Sequence, residues 1–330
     1  MLQIVIDAYG GDYSPSETVK GALLALEKSD DFSVVLSGNK QELERLTEGN
    51  SRVKIIDALD VINNEESPTE AVRNKPNSSL VAAIDYLNAN EDAKALVSTG
   101  STGAVLTASV LLTKRIRGVN RPALAPVLPT VKEGKKVILI DCGANVEPKA
   151  MNLVQFARMG CAYAKVMGVS DPVVGLLSNG TEDKKGNALN KEAFALLKES
   201  GLRFAGNMEA REILSGDYDV IVSDGFSGNI ALKACEGTAV SMFSLIKNGI
   251  MSGGLRAKIG YLLLKPVFKN IKKTMDYNDN GGAVLLGLTK IVVKGHGASK
   301  AKAVCNTVLQ AKDLAERHIV EKISGEIAHD

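Results

Sequence analysis

The chain has 330 residues, enough for a substantial core in one large domain or two, and its 45% hydrophobic and 24% charged content fits a soluble globular protein. A net charge of +2 lacks the strong basic excess expected where nucleic acid is the main partner. Four scattered cysteines (Cys142, Cys161, Cys235, Cys305) form no Cys-x-x-Cys pair and have no histidine at zinc spacing, so reduced thiols and no metal site are expected.

Met1-Leu2-Gln3-Ile4-Val5-Ile6-Asp7 enters a strand pattern directly, without the basic start and long apolar core of a signal peptide. No apolar run reaches membrane-spanning length. Leu2 to Ile6 reads as a strand ending at Asp7, and Gly10-Gly11 as a turn before a helix over Glu17 to Lys28. Phe32 to Leu36, a helix over Gln41 to Thr47, and a strand over Val53 to Ile56 follow. Asn63 to Ser79, with Pro68 and Pro76, reads largely as loop. The spacing then predicts a helix Leu80 to Asn88, a strand Ala95 to Ser98, a loop Thr99 to Gly103 and a small-residue helix Ala104 to Thr113.

The same alternation continues through strand Lys136 to Ile140, helix Met151 to Met167, strand Val173 to Leu177, helix Asn190 to Ser200 and strand Arg203 to Gly206. Val220 to Val222 fits a buried strand, Asp224 to Gly228 a glycine loop, and a helix opens near Asn229 with Ser227 or Asn229 as its cap. Lys233 adds polarity at the same mouth. Strands separated by helices argue for a mainly parallel α/β fold. Ligands of such sheets bind at the carboxyl ends of strands. Asp7, Gly10, Gly11, Asp12, Ser98 to Gly103, Asp141 to Asn145, Asn179 to Lys185, Asn207 and Asp224 to Asn229 are therefore expected at one cleft.

Gly100 to Gly103 is not followed by Gly-Lys-Ser/Thr, so it is no P-loop, and the chain start has no Gly-x-Gly-x-x-Gly, so a dinucleotide cofactor is unsupported. No Gly-x-Ser-x-Gly elbow exists, and the histidines are only His296, His318 and His329, which leaves a Ser-His-Asp hydrolase without support. His296, in Lys294-Gly295-His296-Gly297, fits either a substrate contact or an ordinary turn residue. From Gly237 to Met275 there is no acidic residue, while Lys247, Arg256, Lys258, Lys265, Lys269, Lys272 and Lys273 alternate with Leu255, Ile259, Leu262, Leu263, Val267, Phe268 and Ile271. This pattern suits amphipathic helices interrupted at Gly253-Gly254 and Pro266, facing an anionic membrane or acidic partner, or a helical subunit interface with solvated lysines.

Together these motifs resemble the bacterial phosphate acyltransferase family over essentially the whole chain. The resemblance rests on Asp7-Ala8-Tyr9-Gly10-Gly11-Asp12, Ser98 to Ala104, Arg121-Pro122-Ala123, Asp141-Cys142-Gly143-Ala144-Asn145, Asn179-Gly180-Thr181-Glu182 with Lys184-Lys185-Gly186, and Asp224 to Asn229. Tyr9 stands where the family usually has Met, and Cys142 where Val is common; neither departure removes a charged group.

The resemblance implies a three-layer α/β fold like that of phosphotransacetylases and the isocitrate and isopropylmalate dehydrogenases. It implies one domain over 1–330 with a projecting helical segment over 237–282, and no cofactor. The implied reaction moves an acyl group from acyl carrier protein to inorganic phosphate at the first step of phosphatidic acid synthesis, with a glycerol-3-phosphate acyltransferase downstream. It also implies a homodimer, cytoplasmic, with peripheral membrane contact through 255–273. Phosphate is the nucleophile in such a reaction, so no activated Ser or Cys is needed, and the protein must hold a dianion and a developing oxyanion.

Lys184 is then the first choice of cation, with Lys185 as alternative, and Asn229 the hydrogen-bond donor to phosphate or carbonyl. Ser101 and Thr102 would add hydroxyls, and the N–H groups of Gly100 to Gly103 and Gly228-Asn229 would face the anion. Asp7, Asp12, Asp141 and Asp224 are expected to brace loops or cap helices, since a carboxylate repels a dianion. Transfer from coenzyme A thioesters, as in phosphotransacetylase, is the nearest alternative.

Overall fold

Apolar runs ending in polar residues, alternating with helical segments, build the two sheets of the computed structural model, which describes residues 1–63, 65–274 and 281–328. The first third contains β1 (Leu2–Asp7), α1 (Ser16–Lys28), β2 (Phe32–Gly38), α2 (Lys40–Thr47), β3 (Val53–Asp57), α3 (Pro68–Asn74), α4 (Ser79–Ala89), β4 (Ala93–Ser98) and α5 (Thr102–Leu112). The middle contains β5 (Ala123–Ala125), β6 (Val127–Pro129), β7 (Lys136–Ile140), α6 (Ala150–Val166), β8 (Val174–Ser178), α7 (Ala188–Glu199), β9 (Phe204–Glu209) and β10 (Val220–Val222). The remainder contains α8 (Gly225–Ser252), α9 (Gly254–Thr274), β11 (Ala283–Leu286), β12 (Ile291–Lys294), α10 (Ala301–Glu316) and α11 (Ile319–Ala328).

One sheet runs β3-β2-β1-β4-β12-β11-β5 and the other β6-β7-β10-β8-β9. Pairing is parallel except at β11 with β12 and β5, and at β6 with β7. The mainly parallel α/β class is therefore as the sequence indicates, with the strands divided between two sheets. Pro126, between β5 and β6, is where the chain passes from one sheet to the other. A proline there removes one ladder donor, which suits a strand that changes sheets.

Helices cover both faces, because the strands are apolar on both sides. Val19, Ala22 and Leu26 of α1 and Val304, Val308 and Ala311 of α10 pack under Ile4, Ile6 and Val97, with α6 continuing the same core. On the opposite face Leu80, Ile84 and Leu87 of α4 and Val105 and Ala108 of α5 meet Val5, Val35 and Leu96. A third cluster joins Leu139 and Ile221 to Ala231 and Leu232 of α8.

The structure differs from the sequence expectations at several places. The stretch Asn63 to Ser79 holds α3, whose Pro68 is in the first turn, where a proline's missing N–H costs no helical bond. Strands β5 and β6 are too short, at 3 residues each, to stand out by periodicity. α8 opens at Gly225, so Asp224 to Gly228 is the first turn of a helix rather than a glycine loop. Its cap is Asp224, whose carboxylate accepts from Ser227 N at 2.8 Å, not Ser227 or Asn229. α9 continues through Pro266, while the chain does break at Gly253.

Within the segment 237–282, residues 275–280, which include Met275 and Tyr277, lie outside the described residues, as do Asn64, His329, Asp330 and the side chains of Lys272 and Lys273. No helix among the described residues is long and apolar enough to cross a membrane.

Candidate active site

Asp7 closes β1 in register with Ser98 at the end of β4. Its carboxylate accepts Ser79 Oγ at 2.6 Å and Ser98 Oγ at 2.7 Å. Burial pushes the Asp7 carboxyl up from its ordinary range, while those hydroxyls and the N–H groups of Tyr9 and Gly10 pull it back. Gly10 packs against this cluster: a Cβ there would lie 2.6 Å from both Asp7 Oδ2 and Gly100 N. Gly11, at φ +98°, is held beside Thr99 Oγ1 and Gly297 O. Thr99 Oγ1 donates to Gly10 O at 2.5 Å, and Asp12 N to Gly297 O at 2.9 Å, so the loops after β1, β4 and β12 form one interlocked rim.

The second sheet repeats the device with Asp141. Its Oδ1 accepts Leu124 N at 2.8 Å and Ala144 N at 3.1 Å, and its Oδ2 accepts Asn145 N at 2.6 Å and Asn145 Nδ2 at 2.9 Å. Burial raises the Asp141 carboxyl against these bonds. Asn145 also donates to Pro122 O at 2.7 Å. Its amide is thus engaged in holding the loop, alongside a groove that contains Arg115 and Arg121. Asp7, Asp141 and Asp224 all brace or cap, as their charge suggests. Gly225 and Gly228 let α8 start against this loop, since a Cβ at Gly225 would lie 2.7 Å from Asn145 O.

Between these rims lies a cleft of about 200 Å³ lined by Thr102 of α5, Asn229, Leu232, Lys233 and Glu236 of α8, Leu124 to Leu128 around the β5–β6 join (Ala125 excepted), Cys142, and Lys294 to Gly297 after β12. Asn229, Lys233 and Glu236 follow the i, i+4, i+7 spacing of one helix face. Thr102 is the first residue of α5, so the positive end of that helix dipole lies at the cleft wall. Ser101 is the N-cap and Gly103, packed on Pro68, follows in the first turn.

The expected backbone donors are partly spent. Gly100 N donates to Ser98 Oγ at 3.1 Å, and Gly228 N to Asp224 O at 2.9 Å inside α8. The N–H of Gly228 therefore does not reach an anion, a correction that follows from the helix opening at Gly225. Ser227 is exposed and does not line the cleft, while Asn229 does.

Among the described residues, Lys233 and Lys294 line the cleft as cations. Lys233 is exposed and pairs with Glu236 at 2.7 Å. Lys294 is only 8% exposed and donates to Gly295 O. Burial, and after it Lys233, push Lys294 down to about 8, with Asp7 and Asp12 opposing. His296 accepts Ala298 N at Nδ1, 3.2 Å away, so in the neutral ring Nε2 carries the proton. Burial pushes the Cys142 thiol well up, which leaves it neutral beside the cleft.

Lys294 was not singled out from sequence. The available signal was a lysine ending the apolar run Ile291-Val292-Val293 just before a glycine turn. The β5–β6 wall gave no periodic signal at all.

Asn179, Lys184, Lys185 and Asn207 form a separate group beyond β8 and β9. Asn179 Oδ1 accepts Gly186 N at 2.9 Å, Lys185 N donates to Glu182 O at 3.0 Å, and Asn207 Nδ2 donates to Glu182 O at 2.8 Å. The loop thus closes on itself, with the side chains of Lys184 and Lys185 exposed and outside the cleft lining. β8 is the parallel neighbour of β10, with Leu176 opposite Val222. Hence this loop and the start of α8 leave the same edge of the sheet.

The model of a family described as fatty acid synthesis protein matches residues 2–322. A phosphate acyltransferase of Leuconostoc mesenteroides is 47% identical over 99% of this chain and 96% of its own length. One of Geobacillus thermodenitrificans is 44% identical over 99% of both chains. Among solved structures, a phosphotransacetylase from Streptococcus pyogenes superposes with a TM-score of 0.61 at 18% identity, covering 97% of this chain and 94% of its own. That likeness is one of fold.

Proposed function

Since the chain belongs to the phosphate acyltransferase family, we propose that it transfers a fatty acyl group from the thioester of acyl carrier protein to inorganic phosphate, giving acyl-phosphate. The observation that carries this reading is the cleft itself, where Asn229, Thr102 and two lysines surround about 200 Å³ beside a thiol kept neutral by burial. Such a site holds an anionic nucleophile brought by the substrate.

A phosphate oxygen attacks the thioester carbon, the new C–O bond forms as C–S breaks, and the hydroxyl proton of the monohydrogen phosphate ends on the departing thiolate. A thiol of this kind has a pKa of roughly 8.5, so it leaves with little acid assistance. Asn229 donates to the carbonyl or phosphate oxygen, with Ser101 and Thr102 as hydroxyl donors. Lys184, on the loop that shares a sheet edge with α8, supplies a cation, with Lys185 as alternative.

The family resemblance and the surface of α8–α9 support further parts of the proposal. Apolar grooves of about 490 Å³ and 420 Å³ share Phe243 and Ile246 and suit a homodimer interface. Leu255 and Leu263, each 75% exposed among lysines, suit peripheral contact with an anionic membrane surface. Acyl-phosphate is a reactive mixed anhydride, so a glycerol-3-phosphate acyltransferase would consume it nearby.

The test incubates purified protein and phosphate with palmitoyl carrier or palmitoyl-CoA and detects acyl-phosphate by hydroxylamine trapping. Preference for the carrier supports the proposal. Preference for the CoA thioester favours a phosphotransacetylase-like enzyme, and no product from either overturns acyl transfer to phosphate.

A further inference from the structure

We propose that the Lys294 ammonium holds the phosphate acceptor, forming with Thr102 at the start of α5 an anion subsite in the floor of the cleft; this rests on the acyl transfer to phosphate proposed above. Lys294 is the last residue of β12, whose neighbour β4 ends at Ser98, just before the loop that opens α5. Its side chain therefore lies where the two elements direct their ends into the cleft, and both Lys294 and Thr102 line it.

Lys294 is 8% exposed, and no carboxylate among the described residues lies within ion-pair distance of it. Its bond to Gly295 O uses one of three N–H donors. A buried ammonium without an ion-pair partner is costly, and burial, only partly opposed by Asp7 and Asp12, lowers its proton affinity. A dianion placed in the cleft reverses that cost, because it supplies the missing charge and accepts the remaining donors.

Two of the carboxylates around the site are directed elsewhere, while Asp12 acts on Lys294 through space. Asp7 is occupied by two serine hydroxyls, and Glu236 by Lys233. Lys233 is exposed and already paired, so Lys294 is the cation in the cleft best placed to compensate a buried phosphate. The assignment also separates two roles. Lys294 holds the nucleophile, while Lys184 and Asn229 act on the thioester.

Replacing Lys294 by Met should raise KM for phosphate by about tenfold to a hundredfold, the worth of one charge-assisted hydrogen bond, with KM for the acyl thioester unchanged. Lys294→Arg should recover part of the phosphate affinity. Phosphate should raise the melting temperature of the wild-type protein and lose that effect in Lys294→Met. If the Met variant does not fold, acetic anhydride footprinting of the wild-type protein carries the test: phosphate should lower Lys294 acetylation relative to Lys40, an exposed lysine on α2.

An unchanged KM for phosphate, equal phosphate protection in wild type and Lys294→Met, or an unchanged footprint would overturn the assignment. Failure of acyl transfer itself is distinguishable. It leaves the wild-type protein without acyl-phosphate, whereas failure of the Lys294 assignment leaves wild-type turnover intact.

Discussion

A Cβ built on Gly228 would sit 2.0 Å from the carbonyl oxygen of Asp141. Helix α8 therefore touches the loop after β7 through bare backbone, and this contact sets the position of Asn229 one residue on. Gly228→Ala must push the helix away from Asp141. We expect a loss of about 1–3 kcal/mol in stability, typical of overpacking, together with a fall in acyl-phosphate formation. Denaturant unfolding and the trapping assay measure the two; full activity at wild-type stability would contradict this role for the contact.

Asn229→Ala removes an amide from the cleft wall without touching the core, since the side chain is exposed. If the amide stabilises the developing oxyanion, kcat should fall by roughly a hundredfold. Lys184→Ala should lower activity as well. Both variants retaining wild-type rates in the trapping assay would remove Lys184 and Asn229 from the mechanism.

Asp7 binds two buried hydroxyls, so Asp7→Ala should cost about 1–3 kcal/mol for donors left without an acceptor. Asp7→Asn retains an acceptor and should cost less. The Asp7 carboxyl is raised in the fold above its unfolded value of 3.8, so the folded state holds its proton more tightly. The contribution is complete below pH 3.8 and is lost as pH rises through the folded value. Wild-type stability relative to Asp7→Asn should therefore decline with rising pH in acid titrations.

Lys294 shows the opposite slope. It falls from 10.5 to about 8 in the fold, so between these values the unfolded chain binds more protons and stability rises with pH. Below pH 8 both states carry the proton and the cost of burying it is complete. Asp7, Asp12, Lys233, Glu236 and His296 share this surrounding. Comparison with Lys294→Met isolates the lysine: without phosphate, wild type should gain about 3 kcal/mol on the variant from pH 8 to 10.5. A constant difference across that range would show that the ammonium is not desolvated.

On α9, Phe268 packs on Tyr261 with ring centroids 5.5 Å apart, whereas Leu255 and Leu263 face outward. A Leu255→Glu, Leu263→Glu double variant should lose binding to anionic vesicles in a flotation assay while soluble turnover stays within about twofold, because surface changes away from the site rarely alter the fold. Vesicle binding at the wild-type level would sink the membrane reading and leave the subunit interface.

The α/β alternation and the identity of the strand ends are legible in the residues alone. Period and punctuation are local properties, and Leu2–Asp7, Ala93–Ser98 and Val220–Val222 each carry theirs within a few residues. The sequence motifs also led to the family. Tertiary structure alone decided which strand ends meet. The turn at Asp224 to Gly228 looked like an open loop because two glycines weaken a helix locally, yet the Asp224 cap and the close approach to Asp141 hold it helical.

Strands β5 and β6 are specified by their partners rather than by pattern, since each is 3 residues long and gains its hydrogen bonds from β11 and β7. Lys294 shows the same division most sharply. In the sequence it is one of many lysines. Its burial, and the lack of a carboxylate within ion-pair distance among the described residues, exist only when β12, α5 and α8 converge. Charge is written in the residue, but what a charge costs and what it attracts depend on the solvent and neighbours that the fold supplies.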